Sequence, residues 1–269
     1  MQHTIGTNYK DIIKQRKGKH DYPHVGKLKL TFDIERLRAE VGEMFAASIK
    51  EDKNTTETQY RLNKRNGDKF IKDYEEFIKN YSSITFHKIT DESEEFAKTV
   101  DKKLDEFSPL DRQRGMVYTG SKYYHPYYDE RNYTVFTENC TGYIREVLES
   151  FESTTCRAAI VLLKPGQRIT RHIDVGPEFV IRTHIPLWTN PDATMGFRTK
   201  GGWHQYHLPS DGSVYAVNTG IEHWAMNIGD ADRYQLRVCL LSQEDTEDMV
   251  TVEPIKFISD EDFEGHLCS

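Results

Sequence analysis

The sequence predicts an α+β protein with a mainly β core, in which a helical N-terminal half packs around one barrel or sandwich of short strands. Apolar residues recur at helical spacing through residues 1–155. Short apolar segments separated by turn signals follow in residues 156–242. No linker or repeat divides the two parts, so we expect a single domain over residues 1–269.

Four stretches of the first part are predicted to be helices. Asp33 is the expected N-cap of the first helix, and a second apolar stripe covers residues 70–81. The third helix is expected to begin at Asp91 and to stop before residues 108–109, and the fourth to begin near Thr141. Each has one apolar face, which must be buried against another element.

Four segments of the second part are typical of strands: CRAAIVLL, EFVIRTHIPLW, GSVYAVN and RYQLRVCLL. Turns rich in Pro, Gly, Asn and Asp separate them. Residues 201–207 (GGWHQYH) are expected to form a loop or hairpin over the barrel, with His204 and His207 at the surface. Several short strands joined in this way indicate a sandwich or a barrel.

Charge is unevenly distributed along the chain. The net charge is −7, yet residues 242–269 alone hold nine acids and one lysine, so the remainder is close to neutral. We therefore expect residues 243–269 to form an acidic C-terminal tail. Residues 9–30 hold seven Lys or Arg against two Asp, which would suit a nucleic acid or an acidic partner. The interpretation we prefer for this segment is a solvated, mobile arm.

The composition is that of a globular protein from a reducing compartment. No apolar run is long enough to cross a bilayer, and the N-terminus lacks the apolar core of a signal peptide. We therefore expect a cytoplasmic protein, or a nuclear one if its host has a nucleus. The four cysteines are scattered without a C-x-x-C pair, which argues against a zinc site and a disulfide framework. The oligomeric state is left open.

Polar side chains interrupt RHIDVGPEFVIRTHIPL, residues 171–187, which otherwise has the pattern of buried sheet. His172 and Asp174 are two residues apart and face the same side of an extended segment. His223, just beyond the strand GSVYAVN, is the best candidate for a third metal ligand. Two imidazoles and one carboxylate leave coordination positions open, which suits non-haem Fe(II). The H-x-D pair alone is a short pattern, and a hydrogen-bonded pair would also explain it.

Arginines are expected on the same strands. In FVIRTHIPL, Arg182 and His184 share one face, opposite the apolar residues. A buried arginine is costly unless it meets an anion, and its planar fork matches a carboxylate. Arg233, ten residues after His223, is a second candidate for such a contact, with Arg237 on the same strand face. A structural ion pair is the simpler explanation for Arg237.

Together these motifs resemble the aspartyl/asparaginyl β-hydroxylase-like group of Fe(II)/2-oxoglutarate oxygenases, which includes hydroxylases of free proline. The resemblance runs through LLKPGQRITRHID, IRTHIPLWTNPD and GSVYAVNTGIEHWAMNIGDADRYQLRV, within residues 157–242. The order is a Pro-Gly turn, H-x-D, an R-x-H strand, and then His, Asn and Arg at fixed offsets. The first 155 residues lie outside the resemblance, which leaves the substrate undefined.

The resemblance implies a double-stranded β-helix, the jelly-roll or cupin-like barrel, as the catalytic core over residues 156–242. It implies a dioxygenase that hydroxylates an amino acid, free or within a peptide or protein. The implied cosubstrates are 2-oxoglutarate and O2, and the implied products include succinate and CO2. The implied site residues are His172, Asp174 and His223 as Fe(II) ligands, and Arg233, assisted by Arg182 and His184, as contacts of 2-oxoglutarate.

Candidate substrate contacts come from outside these motifs. Arg112 and Arg114 can pair with a substrate carboxylate, or can be surface charges. Residues 117–133 hold six tyrosines, Tyr118 and Tyr124 among them, which can line a pocket. Ordinary packing against the barrel is the interpretation we prefer for these tyrosines.

Two other functions stay open at this point. One is the same oxidative chemistry on a nucleobase, with the basic N-terminal segment as the handle for a nucleic acid. The other is a cupin-like metal-binding module without catalysis, which would not need arginines that hold a cosubstrate. Formation of succinate from 2-oxoglutarate separates a catalyst from a binding module.

Overall fold

The computed structural model describes residues 16–51, 83–106 and 125–263. In the N-terminal part of these ranges, strands and helices are interspersed. The elements are β1 (Val25–Thr31), α1 (Ile34–Glu51), β2 (Ser83–Thr85), β3 (His87–Lys88), α2 (Asp91–Lys98), β4 (Val135–Phe136) and α3 (Gly142–Glu149). The expectation of a mostly helical first half is therefore only partly met. No described helix is long and apolar enough to span a membrane.

Two of the predicted helices begin where their caps suggested. The Asp33 side chain accepts hydrogen bonds from the backbone N–H groups of Glu35 and Arg36, both at 3.1 Å, at the start of α1. Helix α3 follows Thr141. The predicted helix at residues 70–81 lies outside the described residues.

Helix α2 is shorter than predicted. It begins at Asp91, as expected, but Thr90 is its N-cap and it ends at Lys98. The backbone N–H and the hydroxyl of Thr99 both donate to the carbonyl of Phe96, at 3.0 and 2.7 Å, which closes the last turn. A short 3-10 turn over Leu104–Glu106 follows, so the apolar stripe continues without a continuous helix.

Eight strands follow one another after residue 154 and form the core of the protein. They are β5 (Thr155–Leu163), β6 (Arg168–His172), β7 (Ile181–Trp188), β8 (Ala193–Thr199), β9 (Gly202–His207), β10 (Ser213–Val217), β11 (His223–Asn227) and β12 (Arg233–Leu240). Residues 201–207 were expected as a loop or hairpin. Most of them form β9, which pairs with β8, and both His204 and His207 are half-buried in it.

Two further strands, β13 (Val250–Thr251) and β14 (Lys256–Ser259), complete two antiparallel sheets. One sheet has the order β13-β1-β10-β7-β12-β5-β2, and the other has the order β14-β9-β8-β11-β6. Apart from the β8–β9 hairpin, successive strands from β5 to β12 alternate between the sheets. This winding is a double-stranded β-helix, and it confirms the predicted fold class.

Both charged ends of the chain contribute strands, which the sequence analysis did not expect. Strand β1 lies between β13 and β10, with Val25 and Leu28 buried, so residues 25–31 are no mobile arm. Its lysines, Lys27 and Lys29, alternate with leucines and reach acids at the surface. Strand β14 pairs with β9 and buries Ile258, so the acidic segment is no simple tail. The net charge of each segment did not indicate the alternation of polar and apolar residues that places it in a sheet.

The seven-stranded sheet separates two environments. On its outer face, Ile185 of β7 and Leu236 of β12 pack in one apolar cluster with residues of α1 and α3. Between the sheets lies a second cluster, which includes Phe197 of β8 and Tyr215 of β10. Because side chains alternate along a strand, Arg182 and His184 of β7 and Arg233, Gln235 and Arg237 of β12 face into the barrel.

Candidate metal centre

Two histidines meet across neighbouring strands of the smaller sheet. His172, the last residue of β6, is paired with His223, the first residue of β11, and their ring centroids are 4.1 Å apart. The register shifts between this pair and the pair formed by Ala225 and Ile169. This irregularity adds one residue to β6, as in a β-bulge, which lets both Ile169 and His172 face the barrel interior.

A buried carboxylate completes the cluster. Asp174 follows β6 in a loop, and its backbone N–H donates to the carbonyl of Thr219 at 2.8 Å. The Thr219 hydroxyl donates to the carbonyl of Val175 at 2.9 Å. The loop that follows His172 is therefore bonded to the loop that precedes His223. One potential ligand atom from each of His172, Asp174 and His223 lies within 4.8 Å of the others.

Backbone carbonyls set the tautomer of both histidines. Nδ1 of His223 is 2.9 Å from the carbonyl oxygen of Ile221, and Nδ1 of His172 contacts the carbonyl oxygen of Thr170. A carbonyl oxygen only accepts hydrogen bonds, so each Nδ1 carries the proton. In the neutral form of each ring Nε2 then carries the lone pair, which is the form of imidazole that binds a metal.

Arg182 on β7 is held by two carboxylates. Its Nη1 donates to Asp174 Oδ2 at 2.5 Å, and its Nη2 donates to Glu130 Oε2 at 3.0 Å. Glu130, in the 3-10 turn Glu130–Asn132, also accepts from Arg157 Nη1 at 2.7 Å. Burial opposes the ionisation of Glu130, but Arg182, Arg157 and Arg237 together lower its pKa to about 2. Glu130 is therefore an anion at neutral pH.

Arg233 on β12 is in the opposite situation. It is buried, and its Nη2 donates to the neutral side chain of Gln235 at 2.8 Å. Among the described residues it forms no ion pair. Burial lowers its pKa to about 10, so it remains a cation at neutral pH. A buried guanidinium without a counter-ion is costly, so a carboxylate that entered this end of the barrel would be stabilised by Arg233.

His184 lies on β7 near both arginines. Its ring is buried, and within the described part of the chain its Nδ1 has no hydrogen-bond partner. Burial, with the positive charges of Arg233, Arg182 and Arg237, holds the pKa of His184 well below its ordinary value. The imidazole is neutral at physiological pH, and its open Nδ1 can bond to a group that enters the barrel.

The structure thus brings together six of the predicted site residues, which have different surroundings. The three proposed ligands form one cluster, and Arg233 and His184 face the same interior. Arg182 differs from expectation because it pairs with Asp174 and Glu130, and its contact with 2-oxoglutarate stays a prediction. The predicted substrate contacts Arg112, Arg114, Tyr118 and Tyr124 lie outside the described residues.

Asn227 has a structural role. Its side-chain NH2 group donates to the carbonyls of Leu163 and Ala231, both at 2.8 Å. Its backbone carbonyl accepts from the N–H of Gly166 at 2.7 Å. Asn227 therefore connects the turn before β6 with the end of β11, which keeps the two histidine-bearing strands in register.

Sequence reasoning missed Glu130 and Arg157. Arg157 has a φ of 49°, a left-handed conformation unusual for a residue with a side chain, and its backbone N–H donates to the carbonyl of Tyr133 at 2.8 Å. This backbone distortion accompanies its contact with Glu130. The acid in YYDERN and the arginine in CRAAIVLL carry no local signal of their pairing, because both motifs also suit surface positions.

Among protein families, one model matches most of the chain. The family model described as aspartyl/asparaginyl beta-hydroxylase matches residues 33–242, which include all six site residues. This range covers β5 to β12 and reaches into the N-terminal part beyond the motifs that the sequence analysis used. No curated protein matches the chain.

Solved structures give more distant likenesses. An oxidoreductase of the 2OG-Fe(II) oxygenase family from Burkholderia pseudomallei is 15% identical, with a TM-score of 0.30 over 36% of this chain. The match spans about half of that protein, 55%. AviO1 from Streptomyces viridochromogenes is 14% identical, with a TM-score of 0.40 over 89% of this chain and 96% of its own. Both TM-scores are below 0.5, so the family match alone identifies the relationship.

Proposed function

The chain belongs to the aspartyl/asparaginyl beta-hydroxylase family, and from this premise we propose that it is an Fe(II)- and 2-oxoglutarate-dependent dioxygenase. Its substrate class is an amino acid, free or within a peptide or protein. The observation that carries the proposal is the convergence of His172, Asp174 and His223, whose ligand atoms lie within 4.8 Å of one another. This donor set is the one that non-haem Fe(II) oxygenases use.

The surrounding residues fit both the metal and the cosubstrate. The Nδ1–H group of each histidine donates to a backbone carbonyl, so Nε2 is the ring nitrogen that would bind a metal. Arg233 supplies a buried positive charge for the distal carboxylate of a dicarboxylate. Neutral His184 supplies a further polar atom, Nδ1, toward the same ligand.

The protein contributes binding, orientation and exclusion of water. His172, Asp174 and His223 would hold Fe(II), which together with 2-oxoglutarate supplies the oxidising power to place one atom of O2 in a C–H bond, with succinate and CO2 released. Arg233 would bind the far carboxylate of the cosubstrate and so fix its orientation. Asp174, His184 and His223 are buried and His172 is partly exposed, so the barrel side of the cluster is the side from which bulk water would be excluded.

Substrate oxidation tests this proposal directly. The protein is loaded with Fe(II) and 2-oxoglutarate without oxygen and mixed with fractionated cell extract, and O2 is then admitted. We expect succinate, and a small molecule or peptide heavier by one oxygen atom. The His172→Ala variant, treated identically, should give neither. Absence of succinate from the wild-type protein, with and without extract, would leave a metal-binding module as the better interpretation, and an oxidised nucleobase product would replace the amino-acid substrate.

A further inference from the structure

Glu130 reaches the metal centre from a part of the chain that precedes the barrel strands. It lies in the 3-10 turn Glu130–Asn132, where it is 2% exposed. Its Oε2 accepts from Arg157 Nη1 at 2.7 Å and from Arg182 Nη2 at 3.0 Å. Two guanidinium groups therefore hold one carboxylate, and the carboxylate in turn fixes both of them.

Arg182 connects Glu130 with the proposed metal ligand Asp174. One arm of its guanidinium, Nη2, bonds to Glu130, while the other arm, Nη1, bonds to Asp174 Oδ2 at 2.5 Å. A guanidinium can also bind a single carboxylate with two parallel hydrogen bonds. Here that arrangement is prevented because each arm has a different partner.

We propose that Glu130 is a positioning residue for the metal centre. By holding one arm of Arg182, it limits Arg182 to a single hydrogen bond with Asp174, on Oδ2, so that the other carboxylate oxygen serves the metal. This inference rests on the proposed metal site. Without Glu130, Arg182 is free to turn both arms onto Asp174 and to compete with the metal for its carboxylate.

The first test measures metal binding rather than turnover. Co(II) is titrated into the metal-free protein, and its visible absorption reports both affinity and coordination geometry. Glu130→Gln keeps the shape of the side chain and removes its charge. We expect Co(II) affinity to fall by about 10- to 100-fold, the usual effect of losing a residue behind a metal ligand. The shape of the Co(II) spectrum should also change, because the bonding of Asp174 changes.

Asp129→Asn is the matched control. Asp129 lies in the same buried turn and pairs with Arg131, whose Nε and Nη2 donate to its two carboxylate oxygens at 2.9 and 2.5 Å. Its side chain has no bond to Arg182 or Asp174 among those described. Loss of this pair should lower stability but leave Co(II) affinity and spectrum unchanged. Equal losses of Co(II) affinity in both variants would reduce Glu130 to a structural role and overturn the inference.

A double-mutant cycle tests whether Glu130 acts through Arg182. In an Arg182→Met background, Glu130→Gln should change Co(II) affinity by no more than about twofold, since the connection is already lost. A full additional loss would contradict the mechanism. Arg182→Lys provides the same test if Glu130→Gln fails to fold, because lysine keeps the charge but cannot span both carboxylates. Wild-type Co(II) affinity in that variant would equally overturn the inference.

These outcomes separate the two proposals. If the wild-type protein binds no Co(II), the proposed metal site fails, and the inference about Glu130 fails with it. If the wild-type protein binds Co(II) and Glu130→Gln binds it equally well with the same spectrum, only the inference about Glu130 fails.

Discussion

Two arginines of the barrel interior, Arg182 and Arg233, have opposite surroundings. Arg182 meets two carboxylates, Asp174 at 2.5 Å and Glu130 at 3.0 Å. Arg233 meets none among the described residues, and its bond is to the neutral side chain of Gln235. Both come from strands of the seven-stranded sheet. The positive charge of each contributes to the lowered pKa of His184, after the larger effect of burial.

The difference shows how the same side chain serves two purposes in one cavity. A guanidinium that the protein itself neutralises belongs to the architecture of the site, here the orientation of Asp174. A guanidinium without a counter-ion among the described residues is suited to an anion from outside. The resemblance implied that both arginines contact the cosubstrate, and Arg233 is the one that has no carboxylate partner among the described residues.

The largest expected effect comes from removing one ligand of the proposed metal site. His172→Ala or His223→Ala should abolish Fe(II)-dependent succinate formation while the barrel remains folded, because two donors hold the metal too weakly. His207→Ala is the matched control, since His207 also contacts a backbone carbonyl through Nδ1 but lies outside the cluster. Normal turnover in either ligand variant would refute the assignment.

Replacing each of the two arginines should change the stability of the ligand-free protein in a different way. Arg182→Met leaves two buried acids with fewer partners and should cost about 3–5 kcal/mol of the free energy of unfolding. Arg233→Met removes a buried charge that has no counter-ion in the described part of the chain, so it should leave stability unchanged or raise it. Urea denaturation of both variants measures this contrast. Equal losses would show that Arg233 also has a partner within the protein.

The pH dependence of unfolding tests the ion pair between Glu130 and Arg182 without involving Arg233. The pKa of Glu130 is lowered from 4.5 to about 2. Its contribution is therefore fully present above pH 4.5 and is lost as the pH falls toward 2, because the unfolded state binds a proton first. The shift corresponds to roughly 3 kcal/mol. Glu130→Gln should remove this part of the acid limb, and an unchanged slope would show that Glu130 is not the titrating group.

The smallest effect concerns the loop contact that places Asp174. A Cβ on Gly220 would lie 2.7 Å from the Cα of Gly176. At this point the loop that follows His172 contacts the loop that precedes His223. Gly220→Ala should cost about 1–3 kcal/mol and weaken metal binding more than binding at Arg233. Gly42→Ala, in an open position of α1, should instead stabilise the protein slightly. Thermal denaturation of the two variants makes the comparison.

Sequence patterns predicted the parts of this molecule that are local. Alternation and turn signals predicted β5, β7, β10 and β12, which all lie in the larger sheet, but not β6, β8 and β11 of the smaller one. H-x-D with a later histidine predicted a cluster that the fold assembles. Face alternation also placed Arg182 and His184 together. The strand and face predictions succeeded because they depend on residues that are neighbours in sequence, whereas His223 was chosen because a barrel brings distant strands together.

The features that were missed depend on contacts between distant residues. Glu130 is 52 residues from Arg182 and 27 from Arg157, so no local pattern relates them. Strand β1 looked like a basic arm because lysines cover one of its faces, and its leucines become informative only once β10 is beside it. The extra residue in β6, which turns His172 inward, is visible only from its pairing with β11.

The central claim is that a metal held by His172, Asp174 and His223 and the cation of Arg233 bind one dicarboxylate together. Calorimetric titration of 2-oxoglutarate into the Mn(II)-loaded protein, without oxygen, tests it most directly. We expect tight binding that requires the metal, is lost in Arg233→Ala, and is less affected by Arg237→Ala. Binding of 2-oxoglutarate that is equally strong without metal, or in Arg233→Ala, would contradict the account.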